Sequence, residues 1–504
     1  MAKRLSEVYL FSVVQLDETR PSPLYKQLYE CLRQAILTRQ LAAGVRLPSI
    51  RDMAALLKVS RNTITTALDQ LVAEGYLETK SGAGTFVTGQ LPDDLLKAHF
   101  NAPQPQTPLP EKRYYARRGQ FITSLPQTWG GSSHEGVAFR YGLPALDYFP
   151  RDIWGRLAAR RYRYGPGKYF DFTLSSGGFR PLREAVAEYV CSSRGARCHA
   201  EQVIITSGAQ QGIFLAAHIL LDAGDKILVE EPGFQSAHRT FASAGAKIIP
   251  VPVDQKGLDI QQGRQLGGEA RVAFVTPSRQ HPTGRTMTLE RRLELIDWAE
   301  QMNGWIIEDD YDSEYNYSNR PLTALQGLDV HQRVIYIGTF SKVLFPALRL
   351  GYVVVPEDLI DKFMNLRGII DTYTPTITQV VLADFMEQGH FIRHLRRMRR
   401  LYAERRDFFI HEANQILGHH LEFEPAHAGM SVTAWLPDSV SDVAVHHLAA
   451  QRGVTVAPIS YCYYAEPKRS GLLFGYAACD EKTIKAGLAG VEVALKSGLL
   501  YDKT

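Results

Sequence analysis

The chain has 504 residues, enough for two or three domains with sizeable cores, and its 45% apolar and 22% charged composition is that of an ordinary soluble protein. A net charge of +4 is too small to imply a partner for the chain as a whole. Residues 1–90 nevertheless hold 11 Lys/Arg against 8 Asp/Glu, which fits an anionic partner or a solvated surface equally well.

Five scattered cysteines (Cys31, Cys191, Cys198, Cys462, Cys479) have neither a CxxC nor a metal-ligand spacing. That excludes a disulfide framework and a thiolate metal site, and fits reduced thiols in the cytoplasm. Residues 8–14 are too short for a signal-peptide core, and 213–221, the longest apolar run, is too short to span a membrane.

Leu24, Leu28, Leu32 and Ile36 recur every fourth residue and predict an amphipathic helix over about 24–40. Ser49 with Asp52 resembles a capping box and opens a second helix over 50–57. Ser60 is a good N-cap for a third helix with an inward face of Ile64, Ala67, Leu68 and Leu71, ended by Gly75. Residues 76–79, the turn 81–84 and residues 85–87 read as a two-stranded hairpin. Three helices and a hairpin make a winged helix-turn-helix.

A helix of that kind enters the major groove, and side chains near its N-terminus reach base edges. Arg61 and Asn62 suit guanine and adenine edges, with Thr65 and Asp69 on the same outward face. Arg46, Arg51 and Lys58 suit phosphates, and Gly82 and Gly84 would let the wing approach the backbone closely. A small helical protein-interaction domain is the bland alternative. Against it stand four spaced signals: Leu47-Pro48-Ser49-Ile50-Arg51, Val59-Ser60-Arg61-Asn62-Thr63, Glu74-Gly75-Tyr76-Leu77 and Gly82-Ala83-Gly84-Thr85-Phe86-Val87. Together they closely resemble the GntR family of bacterial regulators. The resemblance implies a double-stranded DNA operator contacted by Arg51, Ser60, Arg61, Asn62, Thr63, Thr65, Gly82 and Gly84.

From residue 89 to 133 the periodicity fails. Pro103, Pro105, Pro108 and Pro110 predict an extended spacer, followed by the basic residues Lys112, Arg113, Arg117 and Arg118, read as a solvated run. The domain expectation is therefore 13–88 for DNA binding, 89–133 for a linker and 134–504 for an effector domain.

In that last part, apolar runs at 203–205, 226–229, 247–249, 272–275, 305–307 and 334–337 alternate with helical stretches. Such a pattern predicts a mainly parallel α/β sheet buried on both faces, with ligands beyond the carboxyl ends of its strands. Five motifs follow those runs. Thr206-Ser207-Gly208-Ala209-Gln210 leaves free backbone N–H groups at a helix N-terminus, a phosphate site. Phe234 in Glu230-Glu231-Pro232-Gly233-Phe234 suits stacking on a flat ring, or plain packing. The loop 276–284 offers His281 as a polar neighbour. Asp309 and Tyr311 follow the fourth motif's strand, and Lys342 follows the fifth's, with Thr339, Ser341 and Arg349 as phosphate ligand candidates.

A lysine and an aspartate so placed are what pyridoxal 5'-phosphate needs. The amine condenses with the aldehyde as a Schiff base, the aspartate keeps the pyridine nitrogen protonated, and the tyrosine meets the phenolic oxygen. Singly each residue has a structural alternative, since aspartates cap helices and loop lysines are solvated. In this order the motifs resemble fold-type I enzymes of the aspartate aminotransferase group. Joined to the N-terminal module they resemble the MocR subgroup of GntR regulators. The resemblance implies a head-to-tail homodimer, two operator half-sites, and a cofactor site made of Lys342 (the catalytic lysine), Asp309, Tyr311, Phe234, Ser207, Gly208, Ala209, Gln210, Thr339, Ser341, Arg349 and His281.

Two positions depart from that pattern. Leu473 in Gly471-Leu472-Leu473-Phe474-Gly475-Tyr476 stands where an aminotransferase has the arginine that clamps a substrate carboxylate, and Arg469 is out of register. Arg279 stands where histidine is common in the subgroup, and reads as an alternative anion clamp or a surface residue. Arg393, Arg396, Arg397 and Arg400 form a stripe on one helix face, either solvated or touching DNA. Three functions compete: a regulator sensing a small amine, an amino acid or the cofactor itself through Lys342, a working aminotransferase with an appended DNA module, and a DNA-binding protein whose cofactor fold is vestigial. The retained Asp309, Tyr311, Lys342 and Arg349 argue against the third. The winged helix and Leu473 argue against the second, leaving a regulator with at most residual transaminase activity.

Overall fold

The computed structural model describes residues 14–17, 19–80, 82–89, 114–125, 138–171, 177–317 and 322–501, the last four of these as backbone only. The chain divides into two compact units, Met1–Tyr114 and Tyr115–Thr504. The proline-rich run 101–110, Lys112, Arg113 and Ser81 lie outside the described residues.

In the first unit, α1 (Leu24–Leu37) buries Leu28, Leu32 and Ile36. It stops three residues short of the predicted end, where Thr38, Arg39 and Gln40 are exposed and offer nothing to bury. The Ser49 hydroxyl accepts from the Asp52 N–H at 3.2 Å and starts α2 (Ile50–Leu57). Lys58 turns the chain in the left-handed region, φ 56°. α3 (Arg61–Ala73) buries Ile64, Ala67, Leu68 and Leu71. β1 (Leu77–Lys80) and β2 (Gly84–Val87) pair antiparallel, and all five elements share one apolar core.

The second unit is built on an eight-stranded sheet. All six apolar runs are strands: β3 (Val203–Thr206), β4 (Lys226–Glu231), β5 (Lys247–Asp254), β7 (Val272–Val275), β8 (Trp305–Asp310) and β9 (Val334–Thr339). Two strands escaped the pattern, β6 (Gly257–Leu258) and β10 (Gly351–Val354). The order is β3-β10-β9-β8-β7-β4-β5-β6. From β9 to β5 every pairing is parallel, whereas β10 runs antiparallel to β3 and β9, and β6 to β5. A second, antiparallel sheet holds β11 (Glu422–Phe423), β12 (Ser431–Trp435), β14 (Gly471–Gly475) and β13 (Ala457–Pro458) in that order.

One feature differs from the sequence reading. A helix, Arg117–Ser124, lies in the stretch expected to be an aperiodic linker; it buries no side chain, so no apolar period announces it. The long helix His390–Leu417 buries Leu395, Met398 and Tyr402 as expected, and Arg393, Arg396, Arg397 and Arg400 are all exposed, as a solvated face would be. Arg393 donates to the Gln388 carbonyl, and Arg397 to the Tyr148 carbonyl. Among the described residues no helix is long and apolar enough to cross a membrane, and no cluster of His, Cys, Asp and Glu could hold a metal.

Candidate functional site

In the first unit, Arg61 and Asn62 open α3 and are exposed, as is Arg51 on α2. The hydroxyls predicted beside them have structural partners. Ser60 Oγ accepts the Thr63 N–H at 3.1 Å and lies 2.9 Å from Thr63 Oγ1. Thr65 Oγ1 donates back to the Arg61 carbonyl at 3.0 Å. These three therefore shape the start of the helix, and Arg61 and Asn62 are what it presents. Gly82 (φ 73°) is open where a Cβ would stand. Gly84 (φ 113°) makes room for Arg46 instead, whose Nε would lie 2.8 Å from a Cβ there.

In the second unit, a chamber of about 280 Å³ lies beyond the carboxyl ends of the parallel strands. Lys342, Asp309, Tyr311, Phe234, His281, Ala209, Gln210, Thr339, Ser341 and Arg349 all line it, drawn from five segments spread over 141 residues of sequence between positions 209 and 349. Ser207 and Gly208, predicted with them, stand behind the lining. The Ser207 N–H is held by Gln211 Oε1 at 2.8 Å and its carbonyl accepts from Arg349 at 3.1 Å. Gly208 (φ 88°) starts the helix Ala209–Leu220, whose first N–H groups face the same end as Arg349.

Strand alternation decides which acid enters the chamber. On β8, Glu308 and Asp310 face away: Glu308 accepts from the Leu325 and Gln326 N–H groups at 2.9 Å each, and Asp310 Oδ2 pairs with Arg194 and the Tyr336 hydroxyl at 2.7 Å each. Asp309 faces in, 4% exposed, and its Oδ1 has no hydrogen-bond partner. Burial first, then the charge of Asp310, pushes its carboxyl up to about 7, against the pull of Lys342. Burial lowers the Lys342 ammonium below the ordinary lysine value, opposed by Asp312 and Asp309. The Lys342 amine donates to the Gly142 carbonyl at 3.1 Å and lies 5.2 Å from the Tyr141 ring centre.

These residues fit pyridoxal phosphate. Asp309 Oδ1 and the buried Ser341 hydroxyl both lack partners, an acceptor for a ring N–H and a donor for a phosphate oxygen. The Tyr311 hydroxyl accepts from Arg279 at 3.1 Å. Sequence reading missed Tyr141 and Thr276 in the wall, and Gly142 as the acceptor for the Lys342 amine; Gly142 lies 200 residues from Lys342, in a loop with no pattern to mark it.

Arg279 is neither a surface residue nor an anion clamp. It is 4% exposed, and its five N–H groups are all donated: Nε to Ala428 O (3.1 Å), Nη1 to Tyr311 Oη and Asp312 Oδ2 (3.1 Å each), Nη2 to Ser431 O (2.7 Å) and Ser431 Oγ (3.0 Å). His281 Nδ1 meets the Tyr141 hydroxyl at 2.9 Å, and burial, then Arg279, pushes its pKa down to about 3, so the ring is neutral. Leu473 on β14 is buried against Trp435, Ile459 and Tyr463.

Comparison with known proteins agrees with this division. Residues 158–491 match the aminotransferase class I and II family, and residues 24–87 the gntR family of bacterial regulatory proteins. The chain is 40% identical over 479 residues to the probable rhizopine catabolism regulatory protein MocR of Rhizobium meliloti, covering 95% of each. It is 32% identical to the pyridoxine biosynthesis transcriptional regulator PdxR of Corynebacterium glutamicum, covering 96% of this chain and 99% of that one. The α-aminoadipate aminotransferase LysN of Thermus thermophilus, solved with N-(5'-phosphopyridoxyl)-L-leucine, aligns with a TM-score of 0.70 at 26% identity, over 77% of this chain and 98% of that one.

Proposed function

The chain belongs to the gntR family of bacterial regulators, in the MocR-type branch that carries an aminotransferase class I and II domain, and from that membership we propose how its parts act. The protein is a transcription regulator that depends on pyridoxal phosphate. Residues 13–88 bind an operator, 89–133 connect, and 134–504 sense.

When bound, the cofactor supplies an aldehyde carbon that primary amines exchange at. Lys342 is its covalent anchor, and burial favours the uncharged, nucleophilic amine. Asp309 accepts the ring N–H, Tyr311 meets the phenolic oxygen, and Phe234 and His281 flank the ring. Ser341, Thr339, Arg349 and the N-terminus of the helix Ala209–Leu220 hold the phosphate, with Ser207 and Gly208 orienting Arg349. The signal is a small amine or amino acid that takes the place of Lys342, or arrival of the cofactor itself. Either shifts the protein only by binding its two arrangements with different affinity. The protein works in the cytoplasm as a head-to-tail homodimer, with Arg61 and Asn62 of each copy reading one half-site.

One observation carries this reading: the unpartnered Asp309 faces the same chamber as Lys342, in a chain whose first unit presents Arg61 and Asn62. Leu473 disfavours the alternative of a working aminotransferase. To test it, an operator is selected from random DNA with the full-length protein, and its affinity is measured by fluorescence anisotropy with and without pyridoxal phosphate and amines. Wild-type affinity should change at least about fivefold, and Lys342→Ala should not respond. An affinity indifferent to both additions rejects the sensor, and rapid multiple-turnover transamination favours the enzyme.

A further inference from the structure

Beside the cofactor chamber lies a smaller one of about 80 Å³, and the two share Tyr141, Phe234 and His281 as a common wall. The substituents of an amine attached where Lys342 now points have this space to enter. Its far side is apolar, with Leu473, Ala457 and Pro458; its polar rim is uncharged, with Ser236, Gln235 and Tyr461. Among the described residues lining either chamber, the only cationic side chains are Lys342 and Arg349. The first is the point of attachment. The second is turned to Ser207 at the phosphate end.

Arg279 lies behind Tyr311 with every N–H already donated within the fold, and His281 is neutral. A carboxylate entering the smaller chamber would lose its water and gain no cation from the described residues that line it, whereas a hydroxyl or an alkyl group would lose little. Resting on the reading of Lys342 as the cofactor's anchor, we infer that the ligand sensed here is a primary amine with no carboxylate, its other substituents hydroxylated or apolar.

The test uses full-length protein loaded with pyridoxal phosphate and titrated with matched pairs: ethanolamine against serine, tyramine against tyrosine, isoamylamine against leucine. Binding is read by the change in the cofactor's visible absorbance and by calorimetry. At least one amine should bind about tenfold or more tighter than its amino acid, and no amino acid should bind tighter than its amine. Leu473→Arg should reverse the preference. If that variant does not fold by circular dichroism, Ser236→Arg, on the half-buried rim, makes the same comparison. A preference for the amino acids, or no response to any amine, overturns the inference. Protein that never forms the Lys342 chromophore rejects the underlying sensor reading as well. Protein that forms it and prefers amino acids rejects this inference alone.

Discussion

The amine of Lys342 donates to the carbonyl of Gly142 at 3.1 Å, and a Cβ on residue 142 would stand 2.0 Å from that nitrogen. Gly142 therefore both holds the amine and leaves it room. Gly142→Ala is expected to push the amine aside and to strain a residue at φ 67°, at a cost of about 1 kcal/mol. Cofactor occupancy, measured by visible absorbance and by borohydride trapping with mass spectrometry, should fall in Gly142→Ala and vanish as a covalent adduct in Lys342→Ala. Wild-type occupancy in Gly142→Ala would contradict the role assigned to that contact.

Asp309 gives the cofactor-free protein a pH signature. Its folded carboxyl is raised from 3.8 to about 7. Its contribution therefore favours folding below the unfolded value and is lost as pH rises through about 7. Asp309→Asn cannot ionise and escapes that loss. The stability of the variant relative to wild type should grow from about pH 5 to about pH 7 and level off above it, by on the order of a few kcal/mol. Glu230 and Glu308 are raised in the same way, so only the difference between the two proteins at each pH isolates Asp309. Chemical denaturation across that range makes the measurement. The same variant should hold pyridoxal phosphate more weakly, because no carboxylate remains to accept the ring N–H.

Much of this was legible in the sequence because the signals were local. The six apolar runs became strands, and Ser49 and Ser60 became helix caps through contacts three residues away. Asp309 was named from the order of the motifs; the structure extends β8 to Asp310, and alternation along that strand turns Asp309 in and Asp310 away. What the sequence hid was non-local or short. Gly142 meets Lys342 across 200 residues. β10 is four residues between Arg349-Leu350 and Val355-Pro356, and it runs against its neighbours. Arg279 gives no hint in its own loop that Ala428, Ser431 and Asp312 will consume its donors.

Arg61 is the exposed guanidinium at the start of α3, and the Ser60–Thr63 contact fixes the helix turn that presents it. Arg61→Ala should weaken binding to a selected operator by about 1–3 kcal/mol if the side chain reads a base edge. An equal loss on random DNA would make it a phosphate contact. Ser60→Ala should act differently, lowering the stability of the first unit by about 1 kcal/mol through loss of the cap. Thermal unfolding and anisotropy on both DNAs separate the two effects.

Arg279 and Asp312 are a buried ion pair at 3.1 Å, each side chain less than 5% exposed. Burial raises the Asp312 carboxyl and Arg279 opposes that rise, so the carboxylate depends on its partner. Arg279→Met leaves Asp312 buried with no cation at that bond, and leaves Ser431 O and Ala428 O without their donors; a loss of about 3–5 kcal/mol is expected. Adding Asp312→Leu should recover part of it, because the unpaired charge is then gone while the two carbonyls stay unsatisfied. Urea denaturation of the wild type, both single variants and the double variant closes the cycle. Had Arg279 been a ligand clamp, its removal would spare stability and change ligand affinity alone. With its donors spent inside the fold, stability should fall in the cofactor-free protein, before any ligand is present.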